Sequence, residues 1–427
     1  MVAALQLWLA QHFYGFLTGD EVEVLGEAFR LATGFDYGTW DVRNTLVPDV
    51  VVAPLLRAAT FARIDDPAAL IVIATIPFAL ASSLTIVLVH RLAMRWTNDA
   101  VAAVAATIVF ALHWLPLGFG STTYPRVLAM FCIVAAALLV ERHPFAAGAL
   151  AGVAFADRYS EIVYLVPLLI VARKKAWQVA LGAIASIAIT VGVADWIRWG
   201  EPFASLRKFA QLTLVERDFA SRVKQQSPLW YLAMLPRWCS PALLPLLWSA
   251  RRQRSAWWFV LVPLVLLSLI AHKEVRYLQG IIPFLAILAG SGFAIGWRSG
   301  ARVPRALALG LLAIGVMWNL WGLRFLGRES RPAVAAARML GRDPSMRTIT
   351  ISQPWACGDK LYLTRGAKAI ELGTPPRNLA GIDESDAVII YESDLTPEVA
   401  AKLARFRRVA VFRAPRARDV IVFVSAI

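Results

Sequence analysis

The densest group of reactive side chains in the sequence is Ala271-His272-Lys273-Glu274-Val275-Arg276-Tyr277-Leu278-Gln279-Gly280. Four ionisable residues fall within five positions, directly after an apolar run almost free of charge and directly before another. Charge at a membrane boundary is costly and usually functional. On a helix, His272 and Arg276 stand at i,i+4 and Lys273 and Arg276 at i,i+3, which concentrates positive charge at one spot and turns Glu274 to another side. The plainer reading is a turn whose charges snorkel to water. A second group opens the first long polar loop, Thr18-Gly19-Asp20-Glu21-Val22. A carboxylate held at the bilayer surface can take a proton from a hydroxyl within hydrogen-bond reach. Asp20 is the candidate for that role, with Glu21 beside it. The plainer reading is a helix start on a solvated acidic face.

The elements that must position these groups follow from composition. Of 427 residues, 58% are hydrophobic and 17% charged, against roughly 45–50% and about 25% in an average soluble domain. The excess lies in runs such as Pro67–His90, Ser255–Ala271 and Ala306–Leu323, which match a hydrocarbon core roughly 30 Å thick. These runs exclude a soluble globular enzyme, a disordered chain and a nucleic-acid-binding domain. Three scattered cysteines exclude a disulfide framework and a zinc cluster. The chain is expected to be a polytopic α-helical membrane protein of about eleven spans: Val2–Leu17, Pro67–His90, Asp99–Leu117, Thr123–Val140, Phe145–Ala156, Tyr159–Ala172, Trp177–Ile197, Leu229–Ala250, Ser255–Ala271, Leu278–Trp297 and Ala306–Leu323. Helical periodicity and span length carry that reading.

Charge sets the orientation. With the N-terminus cytoplasmic, the five inner turns hold 12 Lys and Arg in 28 residues, about twice the density of the outer loop Arg198–Pro228 with 6 in 31. That asymmetry has the sign of the positive-inside rule, and it accounts for the net charge of +15 without nucleic acid. Contacts with membrane lipid head groups suit the same residues. An odd number of spans leaves the C-terminal segment outside. The expected organisation is a transmembrane domain over 1–323, with amphipathic helices in the first outer loop 18–66, and a small extracytoplasmic α/β module over 324–427. Within the module, β-rich runs at Thr348–Ser352, Ala387–Tyr391, Val409–Phe412 and Val420–Val424 alternate with helices near Pro332–Leu340 and Pro397–Phe406.

His272-Lys273-Glu274-x-Arg276-Tyr277, followed by an apolar span with Pro283, resembles the His-Lys-Glu-x-Arg-Phe signature of glycosyltransferase family 22. Asp20-Glu21 with Thr39-Trp40-Asp41 is similar to that family's Asp-Glu and Thr-Trp-Glu in the first lumenal loop. Asp195 before Trp199-Gly200, then Ser227-Pro228-Leu229-Trp230-Tyr231, resembles a later loop and span entry. The likeness runs in order over residues 18–297. Two departures stand out: Gly26-Glu27-Ala28 replaces a Trp-Glu-Pro, and Tyr277 replaces Phe.

The resemblance implies a GT-C fold and transfer of a hexose, with mannose the expected sugar, from a polyprenyl-phosphate donor to a lipid-linked or cell-envelope glycan acceptor. Its leaving group is a lipid phosphate whose charge grows as the glycosidic bond breaks, and cations placed there stabilise the transition state over the ground state. His272, Lys273 and Arg276 are typed for that phosphate, Asp20 for deprotonating the acceptor, and Glu21, Trp40, Arg43 and Glu274 for support. One base and one anionic leaving group imply a single displacement with inversion, with no metal and no cofactor. Trp40 suits stacking on a sugar or interfacial anchoring equally. Asp157, Arg158, Glu161 and Arg126 either line a lipid-phosphate groove or pair with one another. A lipid-linked-sugar flippase and a GT-C transferase of another sugar, such as a pentose, are the competing functions. Ala- and Arg-rich usage points to a bacterial inner membrane, with the site on its outer face.

Overall fold

The computed structural model describes residues 1–13, 16–34, 46–215, 225–328, 330–358, 360–363, 366–373, 376–414 and 418–426. Among the described residues, four helical runs are long and apolar enough to cross a membrane: Pro67–Thr97, Tyr159–Trp199, Val275–Arg298 and Arg302–Arg324. Shorter apolar helices, Ala100–Ala111, Arg126–Leu139, Pro144–Asp157 and Arg254–Ser268, pack among them. The run Tyr159–Trp199 turns back on itself at Arg173, whose φ is +52°. A side chain is disfavoured in that region, and three consecutive basic residues mark the turn.

Not every expected span is one continuous helix. Leu229–Ala250 is broken into short turns at Trp230–Ala233, Leu235–Trp238 and Leu244–Ser249. Pro236, Pro241 and Pro245 are the cause, since each removes a backbone donor and clashes with the preceding turn. The stretch Asp99–Leu117 likewise divides into Ala100–Ala111 and Trp114–Phe119.

Small residues hold the bundle together where lipid offers no hydrophobic drive between helices. A Cβ added at Gly148 would collide with the Val179 carbonyl, and one at Gly182 with the Phe145 carbonyl. This reciprocal contact lets Pro144–Asp157 and Ala176–Ile187 touch backbone to backbone. Large apolar side chains face outward around the bundle, Trp177, Ile184, Trp248, Val303 and Met317 among them, as a lipid-facing surface requires.

The first long polar loop opens with helix Gly19–Thr33. Its start is a capping box. The Thr18 hydroxyl accepts from the Asp20 amide at 3.3 Å, and the Glu21 carboxylate accepts from the Thr18 amide at 3.0 Å. Both devices satisfy donors that a helix N-terminus leaves open. Leu25, Ala28 and Phe29 are fully or nearly fully buried, and Gly34 ends the helix at φ +72°. Later in the loop, where a further amphipathic helix is expected, the chain is helical from Leu46 to Phe61 with a change of winding at Val52–Ala53.

Beyond Ser330 the chain forms helix Ser330–Leu340 and a five-stranded mixed sheet. The strands are β1 (Thr348–Ile351), β2 (Lys368–Glu371), β3 (Ala387–Tyr391), β4 (Phe406–Phe412) and β5 (Val420–Ser425). Their order is β2-β1-β3-β5-β4, with β1 parallel to β2 and β3, and β5 antiparallel to β3 and β4. All five residues of the central β3 are buried. The apolar core runs from the helical bundle into this sheet. The junction touches the segment leading to Asp20: the Ser330 hydroxyl donates to the Phe16 carbonyl at 2.8 Å, and the Tyr362 ring meets Phe16 edge-on.

Candidate active site

Asp20 sits in the first turn of its helix and is only 4% exposed. Two guanidinium groups flank it. Arg158, one residue past helix Pro144–Asp157, donates from Nη2 to Oδ1 at 3.2 Å. Arg276 approaches Oδ2 at 3.4 Å from Nη2. Burying a carboxylate is costly unless charge partners accompany it, and here three segments distant in sequence converge to supply them.

The chain bends at Ala271-His272, Glu274 is extended, and helical winding begins only at Val275. The i,i+3 and i,i+4 neighbour relations expected for Lys273, His272 and Arg276 therefore do not apply. Glu274, expected on another side, lies between the cations. Its carboxylate pairs with Arg276 Nε and stands 3.4 Å from His272 Nε2. Burial works to raise the Glu274 pKa, but Arg276 beside it and the His272 contact outweigh burial and hold it below the usual carboxylate range. Lys273 turns elsewhere. Its ammonium donates to the Gln226 carbonyl at 3.1 Å and to the Ile270 carbonyl, and burial lowers its pKa. A backbone bond from the Gln226 amide to the Ala271 carbonyl at 3.0 Å ties the same two segments together.

Glu21 is fully buried and fully engaged. Its Oε2 accepts from the Thr18 amide and hydroxyl, and its Oε1 accepts from the Thr122 hydroxyl at 3.1 Å. Burial pushes its pKa up to about 7, against the Thr18 hydrogen bond and Arg276. Thr122 comes from the turn between Phe119 and Tyr124, so Glu21 pins the first long loop to the bundle. Trp40 and Arg43 lie outside the described residues.

A second tier supports Arg276. Arg126, 3% exposed, pairs with Glu161, donates to the Ser160 hydroxyl at 2.8 Å and stacks 4.5 Å from the Tyr277 ring. The Tyr124 ring lies 5.8 Å from the Arg276 guanidinium. Farther away, Arg198 joins Glu27 at 2.6 Å to Asp49 at 3.2 Å, linking the first long loop to helix Ala194–Trp199. Burial raises the Asp49 pKa to about 6 against that arginine. Asp195 is structural: it accepts from the Ser205 amide at 2.9 Å and the Ser205 hydroxyl at 2.6 Å.

Arg158 is the functional residue that spacing alone did not single out. Of the polar groups left open between lining a groove and pairing, Arg158 joins Asp20 and Glu161 joins Arg126, while no ion pair to Asp157 occurs among the described residues. The available signal was two adjacent charges at the end of an apolar helix, which are rarely idle at membrane depth.

A carboxylate between two arginines, beside a histidine and a second carboxylate, can take a proton on one side and hold an anion on the other. Comparison with known proteins gives that arrangement a family. Residues 1–329 match the Alg9-like mannosyltransferase family. GPI mannosyltransferase 3 of Yarrowia lipolytica is 25% identical over 382 residues, covering 83% of this chain and 72% of that protein. Among solved structures, ArnT from Cupriavidus metallidurans bound to undecaprenyl phosphate superposes with a TM-score of 0.63 at 17% identity, over 99% of this chain and 97% of that one. The archaeal oligosaccharyltransferase AglB from Archaeoglobus fulgidus, in complex with an inhibitory peptide and a dolichol-phosphate, gives 0.54 at 10% identity, over 98% and 73%. These two show the fold. With its helical bundle, its apolar spans and the family match across three quarters of its length, the chain belongs to the Alg9-like mannosyltransferase family, membrane glycosyltransferases of the GT-C fold.

Proposed function

We propose that this enzyme transfers mannose from a polyprenyl-phosphate donor to a hydroxyl of a lipid-linked or envelope glycan, with inversion, on the outer side of the membrane. The observation that carries the reading is Asp20 held between Arg158 and Arg276 at 3.2 and 3.4 Å. The donor is a phosphodiester with one negative charge. When its sugar–oxygen bond breaks, the lipid phosphate leaves with a second. A guanidinium already in place meets that growing charge without rearrangement. Arg276 is assigned this role. His272 shares it through Glu274, and Lys273 adds positive potential while fastening the loop to Gln226.

Asp20 takes the proton of the acceptor hydroxyl as its oxygen attacks the anomeric carbon. One bond forms, one breaks, and the proton ends on the carboxylate. Glu21 is unsuited to that step because it is wholly buried, closed in between Thr18 and Thr122 where no acceptor hydroxyl reaches it. The lipid phosphates in the ArnT and AglB structures support a polyprenyl donor, and the name of the Yarrowia relative supports mannose. Placement on the outer side rests on the charge asymmetry of the turns, within an arrangement of about eleven membrane passages in which residues 324–427 share the side of the site. The test is purified protein in detergent with polyprenyl-phosphate mannose and a mannoside acceptor. Mannose transfer that is lost in Asp20→Asn supports the proposal, and unimpaired transfer by that variant overturns it.

A further inference from the structure

Beside Arg158, the partner of Asp20, lies a cleft open to solvent. Glu23 and Val24 of the first outer helix, Pro48, and Asp157-Arg158-Tyr159 are among its walls. The mixture of apolar wall with few polar groups is that of a small-molecule site. One group in it is out of balance. Asp157 is 8% exposed, it ends an apolar helix, and its Oδ2 has no hydrogen-bond partner among the described residues. The neighbouring charges are committed elsewhere: Arg158 to Asp20, and Arg198 to Glu27 and Asp49. A buried carboxylate oxygen without a donor costs free energy that a bound hydroxyl would recover.

We propose that this cleft holds the sugar end of the acceptor and that Asp157 accepts a hydrogen bond from one of its ring hydroxyls. The assignment rests on the transferase reading above and adds the direction of approach. Asp20 presents Oδ1 to Arg158, on the cleft side, and Oδ2 to Arg276. The acceptor therefore reaches the base from the Arg158 side while the donor phosphate sits on the Arg276 side. Asp157 acts as a binding residue: it fixes which hydroxyl of the acceptor faces Asp20. Val24, Pro48 and the Tyr159 ring offer the apolar surface that the C–H face of a sugar requires.

The experiment uses the full-length protein in detergent, polyprenyl-phosphate mannose as donor and octyl α-mannoside as the acceptor probe. Formation of dimannoside and suppression of donor hydrolysis are both followed. Asp157→Ala is expected to raise the octyl mannoside KM at least tenfold, with Asp157→Asn between the two, while the donor KM stays within twofold. Glu23→Gln, on the half-buried lip, serves where the Asp157 variants fail to fold and is expected to raise the acceptor KM about threefold. An unchanged acceptor KM, a donor KM that rises in step, or an octyl mannoside that neither accepts mannose nor suppresses hydrolysis overturns the assignment. Native protein that releases no mannose from the donor at all overturns the transferase reading itself, which separates the two failures.

Discussion

Arg276 offers the sharpest perturbation. It is 14% exposed and lies between Asp20 at 3.4 Å and Glu274. At an effective dielectric of about 20, unit charges 3.4 Å apart interact by roughly 5 kcal/mol, and desolvation offsets part of that. Truncation to Ala takes one of two guanidinium partners from the buried Asp20 and the nearest partner from the one-third-exposed Glu274, a loss below the roughly 3–5 kcal/mol of a fully stranded buried charge. Arg276→Ala is therefore expected to melt early and to say little about catalysis. Arg276→Lys is the informative variant: it keeps the charge but loses the planar fork that reaches Glu274 through Nε and Asp20 through Nη2 at once. Losing one charge-assisted hydrogen bond to the leaving phosphate is worth about 1.5–3 kcal/mol, or roughly a 10- to 150-fold loss at about 1.4 kcal/mol per decade. Because the phosphate gains charge only as the bond breaks, kcat should fall with kcat/KM for the donor. The assay is initial-rate mannose transfer across a donor titration, with an unfolding midpoint measured on the same sample. A folded Arg276→Lys protein within threefold of native in kcat/KM would refute the assignment of Arg276 to the donor phosphate.

Asp20→Asn preserves shape and removes the base, so kcat is expected to fall about 10²- to 10⁴-fold with little change in donor KM; a fall under tenfold in steady-state kinetics counts against Asp20. Glu21 carries a proton in the folded state up to about pH 7, whereas the unfolded chain loses it near 4.5. The folded state thus binds more protons across that window, and its stability should drop as pH rises through it, by on the order of 3 kcal/mol. Glu21→Gln, which retains the cap, should flatten the drop in unfolding midpoints between pH 5 and pH 8; an unchanged slope contradicts the burial argument. Gly148→Leu should separate helices Pro144–Asp157 and Ala176–Ile187, because its side chain meets the Val179 carbonyl. Lower thermal stability together with a raised acceptor KM is expected, as Asp157 and Arg158 end that helix, and a native-like melt would show the close contact to be dispensable.

The parts of this molecule legible in its sequence are those set by local chemistry. The acidic first turn Asp20-Glu21 marks a helix start because carboxylates favour that end of a helix, and the helix begins at Gly19. The charges between Ala271 and Leu278 stand out because a membrane boundary penalises idle charge. Their local geometry did not follow, since Glu274 contacts His272 and Arg276 across a bend at Ala271-His272 where spacing suggested a helix. Strand Lys368–Glu371 escaped notice because it is four residues long, lies at a sheet edge and buries one side chain. Arg158 meets Asp20 across 138 positions, a separation on which no periodicity reports. Pro236, Pro241 and Pro245 were visible in the sequence, and their effect on the stretch Leu229–Ala250 was underweighted against its hydrophobicity.

The central claim is that one carboxylate, between two guanidinium groups, drives a single displacement at the sugar of a lipid phosphate. The anomeric configuration of the product tests it most directly. Native protein is supplied with β-linked polyprenyl-phosphate mannose and octyl α-mannoside, and the new linkage is assigned by carbon–proton coupling at the anomeric position. An α-linkage with release of one polyprenyl phosphate per bond formed is the expected result. A β-linked product, or a mannosyl group trapped covalently on the enzyme, would contradict it.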